Sequence, residues 1–397
     1  MKRQYITLIV IFGVVSLFIA NQLLSNPIDI ETRTSSLDEV EPPIPIEEFE
    51  EKPNTTATIL AAGDIMFHMP QIRSAYDSES KNYDFKDVFK YVKKHIESAD
   101  LSIANFETVT AGSEIGFSGF PRFNSPEETL EAIKYAGFDI LTTANNHALD
   151  QGKEGLINTI MAIEEQGMKN IGTYKEKKDS ILIEEINKIK IALLSYSYGL
   201  NGLEYTLTDE EFSYMVNKIE ENKIEDDINK AKNLGSDVVV IFVHWGNEYQ
   251  KEPSEYQIEL GRKMIEWGAD IVLGSHPHVV QKSEVINYNG KDNFIIYSMG
   301  NFLSNQRKVN MDNKYTEDGI MVNIQLEKDF SKGETNIKNI TYIPTWVRRY
   351  EDNGLKYEIL PVEDFLENKE LYSIIDEKER KRIKESYRDT LDKMTQN

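Results

Sequence analysis

The sequence predicts an α/β fold, in which helices cover both faces of a sheet. Short runs of β-branched and apolar residues, each bounded by polar turns, alternate along the chain with amphipathic helical patterns. Runs such as DVVVIFV and DIVLG are continuously apolar, which is typical of strands that are buried on both faces. Polar residues are concentrated where these runs end, which points to a ligand site at one edge of the sheet.

The elements follow one another regularly from residue 57. The predicted strands are 57–64, 100–107, 139–147, 181–185, 189–195, 237–246, 270–279, 294–303 and 319–326. The predicted helices lie around 85–98, 127–135, 156–165, 219–234, 255–267 and 377–394. The last helix is highly charged, and we expect it to face solvent or a partner.

The composition excludes several classes of protein. The chain has 397 residues, of which 40% are hydrophobic, enough for a sizeable core. Because cysteine is absent, disulfide scaffolds, thiolate metal sites and thiol nucleophiles are excluded. The net charge of −22 argues against a nucleic-acid partner, since phosphate backbones bind basic surfaces. An anionic partner would need a local positive site, which a bound metal ion can supply.

The first 24 residues carry a membrane-targeting pattern. Two basic residues precede the uncharged stretch 6–24, whose 19 residues at about 1.5 Å each span about 28 Å, close to the thickness of a bilayer core. We expect a retained single-pass anchor in the cell membrane, with a cytoplasmic N-terminus and an extracytoplasmic main domain. A cleaved signal peptide and a buried core helix are the alternatives, although the cleavage pattern is poor.

Residues 25–56 differ sharply in composition from the rest. Pro42, Pro43 and Pro45 lie among nine acidic residues between positions 28 and 52. Such a segment buries too little apolar surface to fold, so we expect an extended tether, with a partner-binding tail as the alternative. The main domain is predicted over 57–350 and a C-terminal helical extension over 351–397.

Candidate ligands share one kind of position, at or just after the end of a predicted strand. They are His68, His147, His244, His276 and His278, together with Asp64, Asn105, Glu107, Asn145 and Asn146. A single histidine at a strand end is more often structural, but the convergence of five strands favours a common metal site. Oxygen and imidazole ligands without thiolate suit Mn²⁺, Fe²⁺ or Zn²⁺.

The Ser-His-Pro-His motif at 275–278 is the most specific of these patterns. We expect extended backbone here, with His276 and His278 close enough in the chain to serve two neighbouring cations. Two ions about 3.5–4 Å apart can clamp a phosphoester oxygen and activate a bridging water. His95, inside a charged helical pattern, is expected to be an ordinary structural residue.

Taken in order, these motifs resemble the CapA (PgsA) family of bacterial capsule synthesis proteins, which act in poly-γ-glutamate production, and through it the calcineurin-like metallophosphoesterases. The resemblance is carried by AAGDIMFH, NFE, ANNHALDQG, VHWGNEY, GSHPHV and YSMGNF and covers roughly 58–304, with YIPTW at 342–346 as a further segment. It implies a four-layer α/β/β/α sandwich, a centre for one or two divalent metal ions, and an anchored domain outside the cell.

The resemblance also implies a role for each matching residue. Asp64 would bind the first metal, Glu107 or less favourably Asn105 would lie near the bridging position, Asn146, His244 and His276 would surround the second metal, His278 would return to the first, and His147 would be the general acid. His68, Asn105 and Asn145 are further candidates for metal or substrate contact. The chain departs from the phosphoesterase pattern twice: His68 follows Asp64 by four residues instead of two, and Asn-Phe-Glu replaces the bridging aspartate.

Two arginines are candidates for recognising an anionic substrate. Arg122 and Arg307 lie in loops after strand-end motifs, and a guanidinium fork suits carboxylate or phosphate. A surface ion pair is the alternative for each of them.

We expect metal-assisted hydrolysis of a phosphoester or related bond on an anionic capsule polymer or its carrier. The alternative is a non-catalytic accessory subunit that binds polymer carboxylates and docks onto membrane polymer-synthase subunits. The chain has no GxxxxGK loop, so it is not expected to be the ATP-dependent ligase that activates glutamate.

Overall fold

The computed structural model describes residues 53–394. The expected anchor at 1–24 and nearly all of the expected tether lie outside the described residues. Within residues 53–394, no helix is long and apolar enough to span a bilayer.

The described part is a mixed α/β structure, as expected. Its strands are β1 (Thr55–Ile65), β2 (Tyr76–Asp77), β3 (Asn82–Tyr83), β4 (Leu101–Phe106), β5 (Ile140–Thr142), β6 (Lys169–Ile171), β7 (Leu182–Ile186), β8 (Ile189–Ser197), β9 (Val238–His244), β10 (Ile271–Ser275), β11 (Ser283–Tyr288), β12 (Lys291–Ile296), β13 (Asn301–Leu303), β14 (Asp318–Asp329), β15 (Glu334–Glu351) and β16 (Leu355–Pro361). Its helices are α1 (Met69–Ser74), α2 (Lys86–Phe89), α3 (Lys93–Ile96), α4 (Glu128–Ala136), α5 (Gly152–Glu165), α6 (Asp209–Met215), α7 (Glu221–Asn233), α8 (Glu255–Trp267), α9 (Lys308–Met311), α10 (Val362–Glu367), α11 (Lys369–Ser373) and α12 (Glu377–Met394), with short 3₁₀ turns at Glu204–Thr206 and Lys314–Glu317.

Two sheets form the framework. The first has the order β16-β15-β14-β1-β4-β5-β6, with β13 also pairing with β1, and the second has the order β11-β12-β10-β9-β8-β7. In the first sheet β1, β4, β5 and β6 are parallel, and in the second β12, β10, β9 and β8 are parallel. The parallel strands of each sheet therefore end at the same edge, which positions the residues that follow them.

The apolar strands contribute to two cores at once, because successive side chains point to opposite faces. In β9, Val240 packs in the core shared with β1 and β4 of the other sheet, whereas its neighbour Ile241 packs against α7 and α8. In β1, Leu60 faces the helical side, with α4 among its core elements. The two sheets thus face each other and helices cover their outer surfaces, which explains the continuously apolar runs.

The prediction of one continuous strand at 294–303 is wrong. It is two strands in different sheets, β12 ending at Ile296 and β13 beginning at Asn301. The chain turns between them through Gly300, which has φ 67°. A Cβ at Gly63 would lie 2.0 Å from the carbonyl oxygen of Gly300, so a glycine is needed where β1 meets this turn.

Two further segments differ from expectation. The helix expected around 85–98 is two short helices, α2 and α3. Residues 351–397, expected to be a helical extension, begin with β16, which pairs with β15 at the edge of the first sheet. Helix α12 has the expected bounds, and it buries Ile383 and Met394 among other residues, so one of its faces packs against the fold.

Candidate metal centre

The ends of four strands bring buried polar residues together where the two sheets meet. Asp64 lies near the end of β1 and Glu107 follows β4, both in the first sheet. His244 ends β9, and His276 and His278 follow β10, both in the second sheet. All five residues are at most 3% exposed.

Glu107 lies between the histidines. Its Oε1 is 3.5 Å from Nε2 of His244 and 3.7 Å from Nε2 of His278. Neither carboxyl oxygen has a hydrogen-bond partner within residues 53–394. Burial, and then the charge of Asp64, raise the pKa of Glu107 well above its ordinary value. An unpartnered buried acid is costly, and a cation is the partner that this one lacks.

Asp64 is held from three directions. Its Oδ1 accepts a hydrogen bond from Nδ2 of Asn105 at 2.7 Å, and its Oδ2 lies 3.2 Å from Nδ1 of His278. The backbone N–H of His276 donates to Oδ2 at 3.3 Å. Burial by itself raises the pKa of Asp64, but the hydrogen bond and charge interaction with His278 bring that pKa below its ordinary value. Asp64 is therefore an ionised, oriented carboxylate.

His276 and His278 do not lie in the extended backbone that we expected. Their φ angles are 94° and 57°, a region that side chains rarely adopt and that occurs at functional sites. The peptide N–H of Tyr249 donates to the carbonyl of Pro277 at 2.8 Å and fixes the turn. In this turn a ligand atom from each histidine lies within 4.8 Å of a Glu107 oxygen.

The imidazoles of His244 and His276 are neutral. Burial lowers the pKa of His244 to about 3 and the pKa of His276 well below its ordinary value. Nδ1 of His244 is hydrogen-bonded to Oγ of Ser275 at 2.9 Å, while its Nε2 lies 2.9 Å from Oδ1 of Asn146. This 2.9 Å contact is a hydrogen bond, and it holds Asn146 directly beside His244.

Two overlapping groups can hold divalent ions. One consists of Asp64, Glu107 and His244, the other of Glu107, His276 and His278, and within each group the candidate ligand atoms lie within 4.8 Å of one another. Glu107 belongs to both, which is the geometry of a bridging ligand. The residues fit a metal, because both Glu107 oxygens and Nδ1 of His276 are buried without a partner in the described part of the chain.

Asn105 and Asn145 support this group instead of completing it. Oδ1 of Asn105 accepts from Oγ1 of Thr142 at 3.1 Å and from Nδ2 of Asn145 at 3.3 Å, which orients its Nδ2 toward Asp64. Nδ2 of Asn145 also donates to the carbonyl of Phe106 at 2.8 Å. Both amides thus orient the carboxylate, as neighbours of metal ligands commonly do.

His68 lies beside the centre but in neither group. Its Nδ1 accepts the N–H of Asn305 at 3.3 Å, and its ring packs edge-on against Phe123 with centroids 5.3 Å apart. Burial lowers the pKa of His68 to about 4.

His147 lines a cleft of about 390 Å³ next to the metal group. Its Nδ1 lies 2.7 Å from Oδ2 of Asp150, which leaves Nε2 as the nitrogen able to exchange a proton with a ligand. Asn146 and Arg122 line the same cleft. Nε of Arg122 donates to the carbonyl of Asp150 at 2.6 Å, so the arginine is fixed beside the histidine.

Arg307, by contrast, is not brought to this cleft. It donates to the carbonyl of Val347, lies 3.3 Å from Glu317, and packs near the ring of Trp346. Its guanidinium is nearly buried and lines a different cavity. Arg307 is therefore an ion-paired arginine, which is the alternative to its expected role in recognising an anionic substrate.

The chain is similar in sequence to a known protein family. The profile of the family described as "Bacterial capsule synthesis protein PGA_cap" matches residues 58–306, more than half of the chain. The chain belongs to this family. All the residues of the two metal groups lie within the matched segment.

Several curated relatives are similar. A capsule biosynthesis protein CapA from Bacillus anthracis is 31% identical over 264 residues, which cover 64% of this chain and 61% of that protein, less than two thirds of its length. A PGA biosynthesis protein CapA from Bacillus subtilis is 28% identical over 316 residues, 71% of this chain and 78% of that protein. A probable polyglutamine synthesis accessory protein from Mycobacterium tuberculosis is 22% identical over 213 residues, covering 51% and 55%.

Solved structures show a weaker likeness. The calcineurin-like phosphoesterase YfkN from Bacillus subtilis is 15% identical, covers 86% of this chain and 99% of that one, and has a TM-score of 0.43. A phosphatase from Mycoplasma pneumoniae is 13% identical, covers 73% and 93%, and has a TM-score of 0.42.

In this PGA_cap protein, the sequence patterns missed two partners of the site. Asp150 holds His147, and Oδ1 of Asn301 lies 3.1 Å from Nδ1 of His278. Both residues lie inside the motifs ANNHALDQG and YSMGNF, but neither immediately follows a predicted strand. The signal that could have found Asp150 is its i,i+3 spacing from His147.

Proposed function

We propose that this PGA_cap protein is a metal-dependent hydrolase of the metallophosphoesterase type. It acts on a phosphoester or related bond in the synthesis or export of an anionic capsule polymer such as poly-γ-glutamate. It works outside the cytoplasm, held at the cell membrane by an N-terminal anchor. Family membership and the CapA relatives support the role in capsule synthesis, and the site described above supports the chemistry.

One observation carries the proposal. Glu107 is fully buried with both oxygens unpartnered in the described part of the chain, and it is the residue that the two groups of candidate metal ligands share. A structural glutamate would be paired or exposed. A divalent ion in each group would be held by Asp64 or the histidines and shared through Glu107.

Bound divalent ions supply electrostatic stabilisation of a phosphoryl oxygen and a strongly acidified water. The chain's own residues supply the rest. His147, oriented through Nδ1 by Asp150, presents Nε2 to the cleft, where it protonates a leaving oxygen. Arg122 pairs with an anionic group of the substrate, and its fixed Nε holds the fork in place.

The accessory role is the second candidate, and two observations favour it. Glu107 replaces the bridging aspartate of the phosphoesterases, and one relative is described as a polyglutamine synthesis accessory protein. In that case the same centre would bind polymer carboxylates, and the chain would dock onto the membrane synthase subunits without cleaving a bond.

Replacement of His147 separates the two roles. The full chain, purified in a mild detergent and supplied with Mn²⁺, is assayed on aryl phosphate mono- and diesters. We expect His147→Gln to abolish hydrolysis while it keeps the metal content. His95→Gln is the matched control, because His95 pairs with Asp364 on helix α10 at 2.8 Å, outside both metal groups. Wild-type protein that binds metal but hydrolyses neither ester would support the accessory role.

A further inference from the structure

A second cavity, of about 780 Å³, lies next to the cleft that holds His147. Its lining includes Arg73, Ser118, Phe120, Arg122 and Gln151. The segment 120–122 lines both the cavity and the cleft. The cavity is thus a neighbour of the candidate metal centre, and its volume is within the usual range of ligand sites.

The charge of this cavity is unusual for the molecule. Among residues 53–394, the charged side chains that line it are Arg73 and Arg122, and none of its lining side chains is acidic. The whole chain, in contrast, carries 67 acidic and 45 basic residues. The larger cavity that contains Arg307 also has many basic residues, but acidic residues such as Glu317 and Glu379 line it too and pair with them.

Both arginines have donors to spare. Arg73 is exposed at the end of α1, and within residues 53–394 its side chain makes no hydrogen bond or ion pair. Arg122 uses only Nε, toward the carbonyl of Asp150, so both of its terminal nitrogens remain without a partner in the same range. Unpaired guanidinium groups on one wall favour binding of anionic groups.

The loop at 118–124, which contains Arg122, is preformed. Ser118 and Asn124 exchange two backbone hydrogen bonds of 3.0 and 2.9 Å, and Nε2 of Gln151 donates to the carbonyl of Phe123 at 2.9 Å. Phe120 at its tip is 73% exposed. A preformed loop loses little entropy on binding, and its apolar tip can pack against methylene groups between charges.

We infer that this cavity is a second subsite for the same anionic polymer. It binds carboxylates of polymer units that lie beyond the unit bound in the cleft. The inference rests on the proposed function for the identity of the polymer. Carboxylates repeated along one flexible aliphatic chain suit a cavity that is lined by two arginines and by the exposed ring of Phe120. A small ester fills the cleft alone, whereas a long polyanion covers both cavities and gains affinity from the second contact.

The ratio of two affinities tests this inference. Binding of a long poly-γ-glutamate fragment and of a γ-glutamyl dipeptide is measured by calorimetry on the full chain in detergent at low salt. We expect the ratio of long to short affinity to fall about fivefold in Arg73→Gln, as for the loss of one exposed charge contact, and further in Arg73→Glu. Arg388→Gln removes an exposed arginine on α12, 65% exposed, and should leave the ratio unchanged.

Two outcomes would overturn the inference. An unchanged ratio in both Arg73 variants would show that the cavity binds no polymer. Binding of phosphatidylglycerol vesicles that depends on Arg73, without any effect on the polymer, would assign the cavity to the membrane surface instead. Because binding is read without turnover, a wild-type protein that lacks hydrolase activity would refute the catalytic proposal and leave this result standing.

Discussion

Substitution of Glu107 by glutamine should change the stability of the protein in opposite ways with and without metal. Both oxygens of Glu107 are buried and unpartnered in the described part of the chain, and burial raises its pKa. In chelator, the wild type therefore carries an acid that is costly to ionise. Glutamine has nearly the same shape and never ionises, so we expect Glu107→Gln without metal to be as stable as the wild type or more stable.

With metal bound, the wild type should be more stable than Glu107→Gln. A ligand at a hundred times its dissociation constant stabilises a protein by about 2.7 kcal/mol. If the loss of the shared carboxylate weakens metal binding a hundredfold, the same metal concentration adds only about 0.4 kcal/mol. For a folded part of about 340 residues, the metal should raise the melting temperature by about 4 °C in the wild type and by less than about 1 °C in the variant.

The assay is thermal unfolding of the full chain in excess chelator and in excess Mn²⁺. Glu185→Gln is the matched control, because Glu185 is an exposed residue of β7, and it should respond to metal as the wild type does. If Glu107→Gln lowers the melting temperature equally in chelator and in Mn²⁺, Glu107 is a structural residue and the metal reasoning fails.

Three further predictions concern other steps. His147→Gln should slow aryl phosphate hydrolysis by about 10²- to 10⁴-fold with unchanged metal content, and loss of metal in the variant would make His147 a ligand instead of an acid. In chelator, the free energy of unfolding should fall as the pH drops from about 6.5 to about 4. In this range His68, His244 and His276 take up protons only on unfolding, because their pKa values are lowered in the folded protein. Glu107 acts in the opposite direction, because its raised pKa lets it hold one more proton in the folded protein than in the unfolded chain. The net uptake of up to two protons corresponds to at most about 2.7 kcal/mol per pH unit, and urea unfolding at a series of pH values that shows a flat profile would contradict it. A reporter fused to the C-terminus should be active only outside the cytoplasm, and a cytoplasmic signal would reject the expected anchor.

The fold was predictable where a segment of the sequence shows one clear hydrophobic pattern. The uninterrupted apolar run of β9 packs into two cores, so it could only be a strand with both faces covered, and helix α8 has the bounds that its pattern predicted. The run 294–303 could not be resolved, because its two strands are equally apolar and only the turn at Gly300 assigns them to different sheets.

The membership of the site was easier to predict than its geometry. Strand ends converge in any parallel sheet, so Asp64 and Glu107, at the ends of the neighbouring strands β1 and β4, could be placed near each other from their positions in the chain. The backbone of His276 and His278 could not, because a positive φ at a non-glycine residue depends on the surrounding contacts and not on local preference. The position of Arg307 away from the site was not predictable from the sequence either. Its partner Glu317 is ten residues away, and this spacing gives no periodic signal.

Metal analysis of the full-length protein tests the central claim most directly. The chain is loaded with Mn²⁺, desalted and analysed by mass spectrometry for bound metal, beside Asp64→Ala and His244→Ala. We predict one or two ions per wild-type chain and a clear loss in both variants. A wild-type content near zero, with a melting curve that chelator leaves unmoved, would show that the buried carboxylates and histidines are structural and would contradict the account.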